Sequence, residues 1–292
     1  MESALFWLTA VAAIVWTGLL LLWGQFWRAD QRLDSEMVDQ TAFPDIWPSV
    51  AVVIPARNEA DLIERAVRSH LTQAYPGQLS ILLVDDKSTD STAQIATQTT
   101  EALDKTETLT ILSGTALPAG WTGKLWAMEQ GFQQLKQRSD PPDYVLFTDA
   151  DIEHSTNSLQ QLVTKAESQR LDLVSLMVQL RTQSFWEKLL IPAFIFFFQL
   201  LYPFPWVNDP NKKTAAAAGG CVLLRFDALT RIGGLQAIRK ALIDDCALGA
   251  AVKAGGPIWL GLSSEVKSLR PYPDLKSLWQ MVARSAYTQL NY

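Results

Sequence analysis

An α/β domain built on a mostly parallel sheet, preceded by one apolar helix, is the fold the sequence predicts. Three observations carry this expectation. From residue 49 onward, runs of β-branched and aliphatic residues alternate with segments of helical spacing. The apolar runs are continuous rather than alternating with polar residues, as in strands covered on both faces. A separate run, "ALFWLTAVAAIVWTGLLLLW", fills Ala4 to Trp23 near the N-terminus.

That first run has the 20 residues a helix needs to cross a bilayer. The segment ahead of it holds Glu2 and no Lys or Arg, and no small-residue cleavage site follows, so it reads as an anchor rather than a signal peptide. Trp7, Trp23 and Trp27 sit near its ends as interfacial residues do, and Arg28 and Arg32 follow it. The excess of positive charge on that side puts the remainder of the chain in the cytoplasm, against the inner (plasma) membrane. Residues 28–48 are polar, with Pro44 and Pro48, and read as a linker between the anchor (1–27) and a domain spanning 49–292.

"SVAVVIPARNEA" (49–60) is a strand ended by proline and a loop. "ADLIERAVRSHLTQ" follows with Leu62, Ile63, Ala66, Val67 and Leu71 on one helical face. "LSILLVDDKSTDST" is a second strand that ends in carboxylates. "STAQIATQTTEALDK" is a helix with Asp90 or Ser91 as its N-cap. "LTILSG" is a third strand, a third helix starts after Gly123, and "YVLFTDADIE" is a fourth strand.

Two further segments bear on the membrane. "LLIPAFIFFFQLLYPFPWV" (189–207) is strongly apolar but carries Pro192, Pro203 and Pro205, which weigh against a straight spanning helix. It suits an interfacial or lipid-facing helix, or a buried core helix. At the other end, amphipathic spacing still runs at "AYTQLNY", so the expectation is a chain that continues, with membrane helices beyond Tyr292.

Composition removes several function classes. With 48% apolar and 19% charged residues the core is sizeable and disorder is excluded. The net charge is −5 and no basic cluster is present, which argues against nucleic-acid binding. Cys221 and Cys246 have neither metal-ligand spacing nor disulfide density and read as reduced thiols. With His70 and His154 as the only histidines, multi-histidine zinc catalysis is excluded, and both read as packed or surface residues.

The chemistry concentrates at strand ends. Within "LFTDADIE", Asp149 and Asp151 follow a buried-looking strand. Alone, they fit a solvated turn better than a divalent-metal site. In a parallel sheet, however, ligands bind beyond the carboxyl ends of the strands. "PARNE", "VDDKSTD" and "TDAD" then share one edge, and converging carboxylates need a cation or ligand donors to offset their repulsion.

"VVIPARNE", "LLVDDKSTDST", "FTDAD", "GGCVLLRFDALTRIGG" and "LIDDCALG" occur in order. Over residues 49–292 the chain thereby resembles inverting glycosyltransferases of family 2, with the GT-A fold. "PAGWTGKLWAMEQG" and the two apolar blocks make it look most like the hopanoid-biosynthesis-associated members, with ceramide glucosyltransferases more distant. The resemblance implies transfer of one sugar from a nucleoside-diphosphate sugar, a UDP-sugar first, to a lipid hydroxyl such as a hopanoid. It implies that Pro55, Arg57 and Glu59 line the nucleotide pocket, that Asp85 and Asp86 contact uracil or ribose, and that Lys124 approaches the base or diphosphate. Asp149 and Asp151 would be the D-x-D pair holding Mg²⁺ or Mn²⁺. Gly219 and Gly220 would let backbone pass close to the sugar. Asp245 would be the general base, with Asp244 where Glu is more usual. Gln280 and Arg284 in "QMVARS" answer to the Gln and Arg of Q-x-x-R-W, with three residues between them instead of two, and Ser285 stands in place of the tryptophan, which disfavours a processive polymer maker.

The same residues have plainer readings. Asp85 and Asp86 could cap a helix, Asp244 and Asp245 could be a helix-start charge pair, Lys124 a solvated lysine and Arg284 half of an ion pair. Trp121 and Trp126, beside Lys124, are sugar-stacking candidates among 11 tryptophans expected mostly in the core or at the membrane interface. Two other functions compete: a nucleotidyltransferase, which usually has a Gly-rich basic loop where "PARNEAD" stands, and a non-catalytic membrane scaffold that binds sugar nucleotides.

Overall fold

The computed structural model describes residues 2–34, 43–241 and 244–289. Eight strands form one sheet: β1 (Val50–Ala56), β2 (Leu79–Asp85), β3 (Leu109–Ser113), β4 (Tyr144–Thr148), β5 (Ile152–His154), β6 (Leu173–Gln179), β7 (Cys221–Arg225) and β8 (Ile258–Ser268). Their spatial order is β3-β2-β1-β4-β7-β6-β8-β5. The pairs β1–β2, β1–β4, β2–β3 and β6–β8 are parallel, while β7 and β5 run against their neighbours.

Helices cover both faces: α2 (Ile63–Leu71), α3 (Thr92–Ala102), α4 (Gly123–Lys136), α5 (Ser158–Ser168), α6 (Phe185–Leu201), α7 (Phe204–Asn208), α8 (Phe226–Arg231), α9 (Asp244–Lys253) and α10 (Leu275–Gln289), with α1 (Glu2–Leu22) ahead of the domain. The two-residue period of the strands divides the core. Ala51 and Val53 of β1, with Val145 and Phe147 of β4, pack under α4, α8 and α9. Val50, Val52 and Ile54, with Tyr144 and Leu146, pack under α2 and α5. Burial on both faces is why these strands read as continuous apolar runs.

The four strands expected from sequence correspond to β1 to β4 and are parallel as anticipated, but the fourth, expected to run through "YVLFTDADIE", stops at Thr148; Ile152–His154 instead form β5 at the far edge of the sheet, with β7, β6 and β8 between. The third helix begins at Gly123 with Thr122 as its cap, its hydroxyl accepting from the Leu125 N–H. At the start of α3, Ser91 occupies the cap position, but the neighbouring Asp90 carboxylate accepts from the Thr92 and Ala60 N–H groups. The linker expectation needs correction at its start. Residues 31–34 run beside β8: the Leu262 N–H donates to Gln31, the Leu33 N–H donates to Leu262, and Leu33 is buried. The expected linker residues 35–42 lie outside the described residues.

The apolar segment 189–207 falls in α6 and α7. Helix α6 continues through Pro192, packs Ile191 and Phe198 inward, and leaves Phe185, Leu189 and Phe196 exposed. Its start is fixed by a capping box in which Glu187 and Ser184 exchange bonds with each other's backbone. The Ser3–Leu22 stretch of α1 is long and apolar enough to cross a membrane, and none of it is buried. Its base is joined to α6 and α7. Trp23 packs at a tilt against Trp206 and donates from Nε1 to the Leu200 carbonyl, and Phe26 packs edge-on against Phe196. Gly24, at φ +59°, lets the chain turn there, because a Cβ would lie 2.5 Å from Pro203 Cβ.

Beneath β4 lies a buried histidine pair. The rings of His70 and His154 are 4.4 Å apart. His154 bonds Thr148 and Ser158 through its two ring nitrogens, whereas neither nitrogen of His70 has a hydrogen-bond partner among the described residues. Burial lowers the pKa of both, that of His70 to about 3, so both stay neutral when folded. An unfolded histidine protonates near 6.5, so stability is full above that value and falls as pH drops toward 3. His70→Phe keeps an apolar ring against His154 and removes one of the two titrations. The expected outcome is a shallower fall in melting temperature between pH 6.5 and 4 than in the wild type; parallel curves would refute the assignment.

Candidate active site

A cavity of about 920 Å³ opens at the carboxyl ends of β1 and β4. Chain order reverses there, since β2 and β3 lie on one side of β1 and β4 on the other, and the diverging loops leave a crevice. Pro55, Arg57 and Glu59 reach it from the end of β1, Asp86 from the turn after β2, and Lys124 from the first turn of α4. Asp149 and Asp151 enter beyond β4, Gly219 and Gly220 just before β7, Asp244 and Asp245 on the first turn of α9, and Gln280 from α10.

Two expected residues stand apart. Asp85 does not line the cavity: its Oδ1 accepts from the Ser88 N–H at 3.1 Å and closes the turn after β2, where Lys87 adopts φ +58°. Its partner Asp86 faces the cavity instead, 3.7 Å from the Arg57 guanidinium. Arg284 lies on α10, and its side chain is outside the described residues. Trp121 and Trp126 pack edge to face at 5.2 Å, but neither lines the cavity.

Sequence reasoning missed Arg270, which lies just beyond β8 in "SLRPYP". Its guanidinium spans two carboxylates, donating to Glu59 Oε1 at 2.7 Å and to Asp151 Oδ2 at 3.0 Å. Ser268 donates to the same Asp151 oxygen at 3.1 Å. A lone arginine after a strand carries no local signal, and these contacts cross more than a hundred residues of chain. The apolar wall from Phe194 and Phe198 of α6 and Met281 of α10 was likewise not assigned to this site.

On the opposite wall, Lys124 Nζ lies 2.5 Å from Asp149 Oδ1. Burial opposes the lysine's charge, but Asp149, Asp244 and Asp245 outweigh it and its pKa is raised. Burial likewise raises Asp149, with Asp151 and Asp244 adding to the effect and Lys124 opposing it. Asp245 is pushed up to about 6, first by burial and then by Asp244, against the pull of Lys124 and two backbone N–H groups. Those groups are Cys246, at 2.8 Å from Oδ1, and Gly219, at 2.9 Å from Oδ2. A Cβ on Gly219, in the turn before β7, would come within 3.3 Å of Asp245 Oδ2 and 3.4 Å of Lys124 Nζ, so a side chain there would crowd both groups.

The donor set at Asp149 and Asp151 fits a hard divalent cation. Among the described residues no three acidic, histidine or cysteine side chains converge as a ready cage. Mg²⁺ and similar ions are commonly held by one or two carboxylates, with substrate phosphates and water completing the shell. Two aspartates at the floor of a cavity provide that partial set.

Lys124→Met tests the coupling. With its pKa pushed up to about 6, Asp245 is ionised at pH 8 and mostly protonated at pH 5. Loss of the lysine should therefore cost more at the higher pH. A deficit of about 1 kcal/mol at pH 8, the upper end for a partly exposed pair, corresponds to roughly 2–4 °C in melting temperature. Equal deficits at the two pH values would remove Lys124 from this network.

Residues 51–233 match the glycosyl transferase family 2 model. An undecaprenyl-phosphate 4-deoxy-4-formamido-L-arabinose transferase from Pseudomonas fluorescens is 32% identical over 122 residues, 40% of this chain and 32% of the relative. The glycosyltransferase AglE of Haloferax volcanii is 40% identical over 63 residues, 21% of each chain. The chain therefore matches a third or less of the length of these relatives. A solved mannosyltransferase from Pyrobaculum calidifontis, in complex with GDP-mannose and Mn²⁺, superposes with a TM-score of 0.64 at 20% identity, covering 97% of this chain and 73% of that one. That likeness establishes the GT-A fold, and the family match extends over more than half of the residues. By fold and by sequence, the chain belongs to glycosyl transferase family 2.

Proposed function

We propose that this protein is a membrane-anchored, metal-dependent, inverting glycosyltransferase. It moves a single sugar from a nucleoside-diphosphate sugar, with UDP as the favoured nucleotide, to a lipid hydroxyl. The observation that carries this reading is the division of carboxylates within one cavity. Asp149 and Asp151 lie beyond β4, Asp245 lies on α9 beside Gly219, and Lys124 reaches both groups.

The division matches the two ends of a displacement at an anomeric carbon. Mg²⁺ or Mn²⁺ at Asp149 and Asp151 would supply Lewis-acid charge to the leaving diphosphate. Lys124 adds a fixed positive charge where negative charge develops. Asp245 accepts the proton of the attacking hydroxyl, and a carboxylate near pKa 6 is ionised at neutral pH yet more basic than an ordinary aspartate. One base opposite one leaving-group site implies a single displacement with inversion. Pro55, Arg57, Glu59 and Asp86 form the nucleotide end, Gly219, Gly220 and Asp244 border the sugar, and Gln280 faces the diphosphate side from α10.

The lipid acceptor is supported by the apolar side of the molecule. The exposed α1 is joined through Trp23 and Phe26 to α6, and α6 lends Phe194 and Phe198 to the cavity wall. Phe185, Leu189 and Trp279 add exposed apolar surface on α6 and α10. These features suit anchoring to the inner membrane, with the catalytic domain on its cytoplasmic face. The Pseudomonas relative is named for a lipid phosphate. Here a hydroxyl is the better fit, because Asp244 and Asp245 would repel a phosphate and an ionised phosphate needs no base. A hopanoid hydroxyl is the first acceptor to test.

The decisive assay is nucleotide release by detergent-solubilised protein. It is run with a panel of UDP- and GDP-sugars, with Mn²⁺, Mg²⁺ or chelator, and with hopanoid, undecaprenyl phosphate or no lipid. Release that requires both a divalent ion and a lipid hydroxyl is the expected result; metal-dependent binding without release under every condition would instead favour a sugar-nucleotide-binding scaffold. Asp245→Asn should lower turnover by roughly 10²–10⁴-fold. Its melting temperature should be equal to or above that of the wild type, since a buried charge is removed. In the wild type, turnover should fall as pH drops through about 6.

A further inference from the structure

We propose that Arg270 is a resident counter-ion of the donor site. In the empty enzyme it holds Glu59 and Asp151, and on loading it gives up Asp151 to the metal and turns its charge to the donor diphosphate. This rests on the donor reading above. Three features of the geometry point to it. Arg270 is two-pronged: Nη2 donates to Glu59 Oε1 at 2.7 Å while Nε donates to Asp151 Oδ2 at 3.0 Å. Both bonds lie at the cavity wall, so the guanidinium occupies space next to the oxygen of a metal-binding pair. The Nε bond and the Ser268 bond both fall on Oδ2, so Oδ1 is engaged by neither.

The cluster around it is strongly coupled. Asp149 and Asp151 are two residues apart, and Glu59 is close enough to both to feel their charge. Without an internal cation, three carboxylates would face one another across a half-closed cavity. A bare divalent ion approaching Asp151 Oδ1 must therefore work against the adjacent charge of Arg270, and it gains Oδ2 as well only by displacing the guanidinium. A nucleoside diphosphate brings anionic oxygens that can receive the displaced guanidinium, and forked arginine geometry suits phosphate as well as carboxylate. Metal and nucleotide consequently bind as a pair, each favouring the other.

The position of Arg270 in the chain lets it move without unfolding the sheet. It lies between β8 and α10, in a strap tied at its far side to the buried Glu187: the Tyr272 N–H donates to Glu187 Oε1 at 2.8 Å. Ser184 Oγ donates to the Tyr272 carbonyl. The strap is anchored at Tyr272, and only the arginine side chain need exchange partners.

The test is Mn²⁺ binding by electron paramagnetic resonance on the full chain in detergent, with and without UDP or GDP. Wild type should hold Mn²⁺ weakly alone and tighter with nucleotide. Arg270→Gln should bind Mn²⁺ alone on the order of tenfold or more tightly than wild type, the scale on which a close charge shifts a carboxylate's affinity for a proton. Its gain on adding nucleotide should shrink toward one. Arg270→Lys keeps a cation but cannot span Glu59 and Asp151 together, and should fall between the two. Melting curves verify that each variant is folded, and a merely structural Arg270 would weaken both measurements in the same direction. Unchanged or weaker Mn²⁺ binding in Arg270→Gln would overturn the proposal. If wild type bound neither nucleotide, the donor reading would fail, while the comparison of Mn²⁺ alone would still decide the counter-ion role.

Discussion

Among the described residues, six carboxylates line one cavity, Glu59, Asp86, Asp149, Asp151, Asp244 and Asp245, and three cations line it with them, Arg57, Lys124 and Arg270. The imbalance of three negative charges is the constraint on which the site depends. In water it would be screened; at the foot of a crevice, backed by a sheet buried on both faces, it is not. Each carboxylate is placed where a backbone N–H, a hydroxyl or a cation can reach it. The Asp245 oxygens take the N–H groups of Cys246 and Gly219, and Asp151 takes Ser268 and Arg270. The residual charge is a standing demand for a positive ligand, and it unites the sheet edge with the proposed metal chemistry.

The scaffold meets this demand by bringing distant segments of the domain together at the site. Helix α4 presents Lys124 from its first turn, so the same element that buries Leu125, Phe132 and Leu135 against the sheet also points a cation at the cavity. Helix α9 does the converse, with two aspartates on its first turn. Negative charge is favoured at a helix N-terminus, which partly offsets the cost of burying Asp245. The strap after β8 brings Arg270 across to the loop after β1, tying residues 59 and 270 by one guanidinium. A site assembled from such distant segments has no local minimum of its own and exists only when the sheet has closed.

The apolar side follows different physics. Helix α6 has charged residues only in its first turn and a capping box that fixes its start; Glu187 lies so deep in backbone N–H donors that its pKa falls to about 2 despite burial. From that fixed start, one face of the helix packs into the core and the other stays open beside the base of α1. The open face is costly in water and cheap against hydrocarbon, so it agrees with the unburied, apolar α1. Because Phe194 and Phe198 also line the cavity, apolar surface continues from this face to the carboxylates of the cavity.

The parallel half of the sheet was legible in the sequence because double-sided burial leaves an unbroken apolar run, as in "VAVVI" and "ILLV", and because helical spacing marks α2 to α4. The strand-end carboxylates were legible for the same reason, since parallel topology sends all those ends to one edge. The antiparallel strand β7 could be recognised as a motif but not placed beside β4, and β5, with three residues, is too short for periodicity to register. At the site, sequence could name Asp149, Asp151, Lys124 and Asp245 but could not tell Asp85 from Asp86. That choice belongs to the turn, where a backbone N–H claims the first carboxylate and leaves the second for the cavity. Arg270 was invisible for a related reason: its role comes from contacts to residues 151 and 59, and no periodicity or spacing encodes a pairing across that separation. Sequence by itself determined the layers, the anchor-length helix and the chemistry of the strand ends, because those follow from local pattern and from topology. Which charges neutralise which was decided only by tertiary structure, because electrostatic pairing in a low-dielectric crevice depends on distances that the folded chain alone sets.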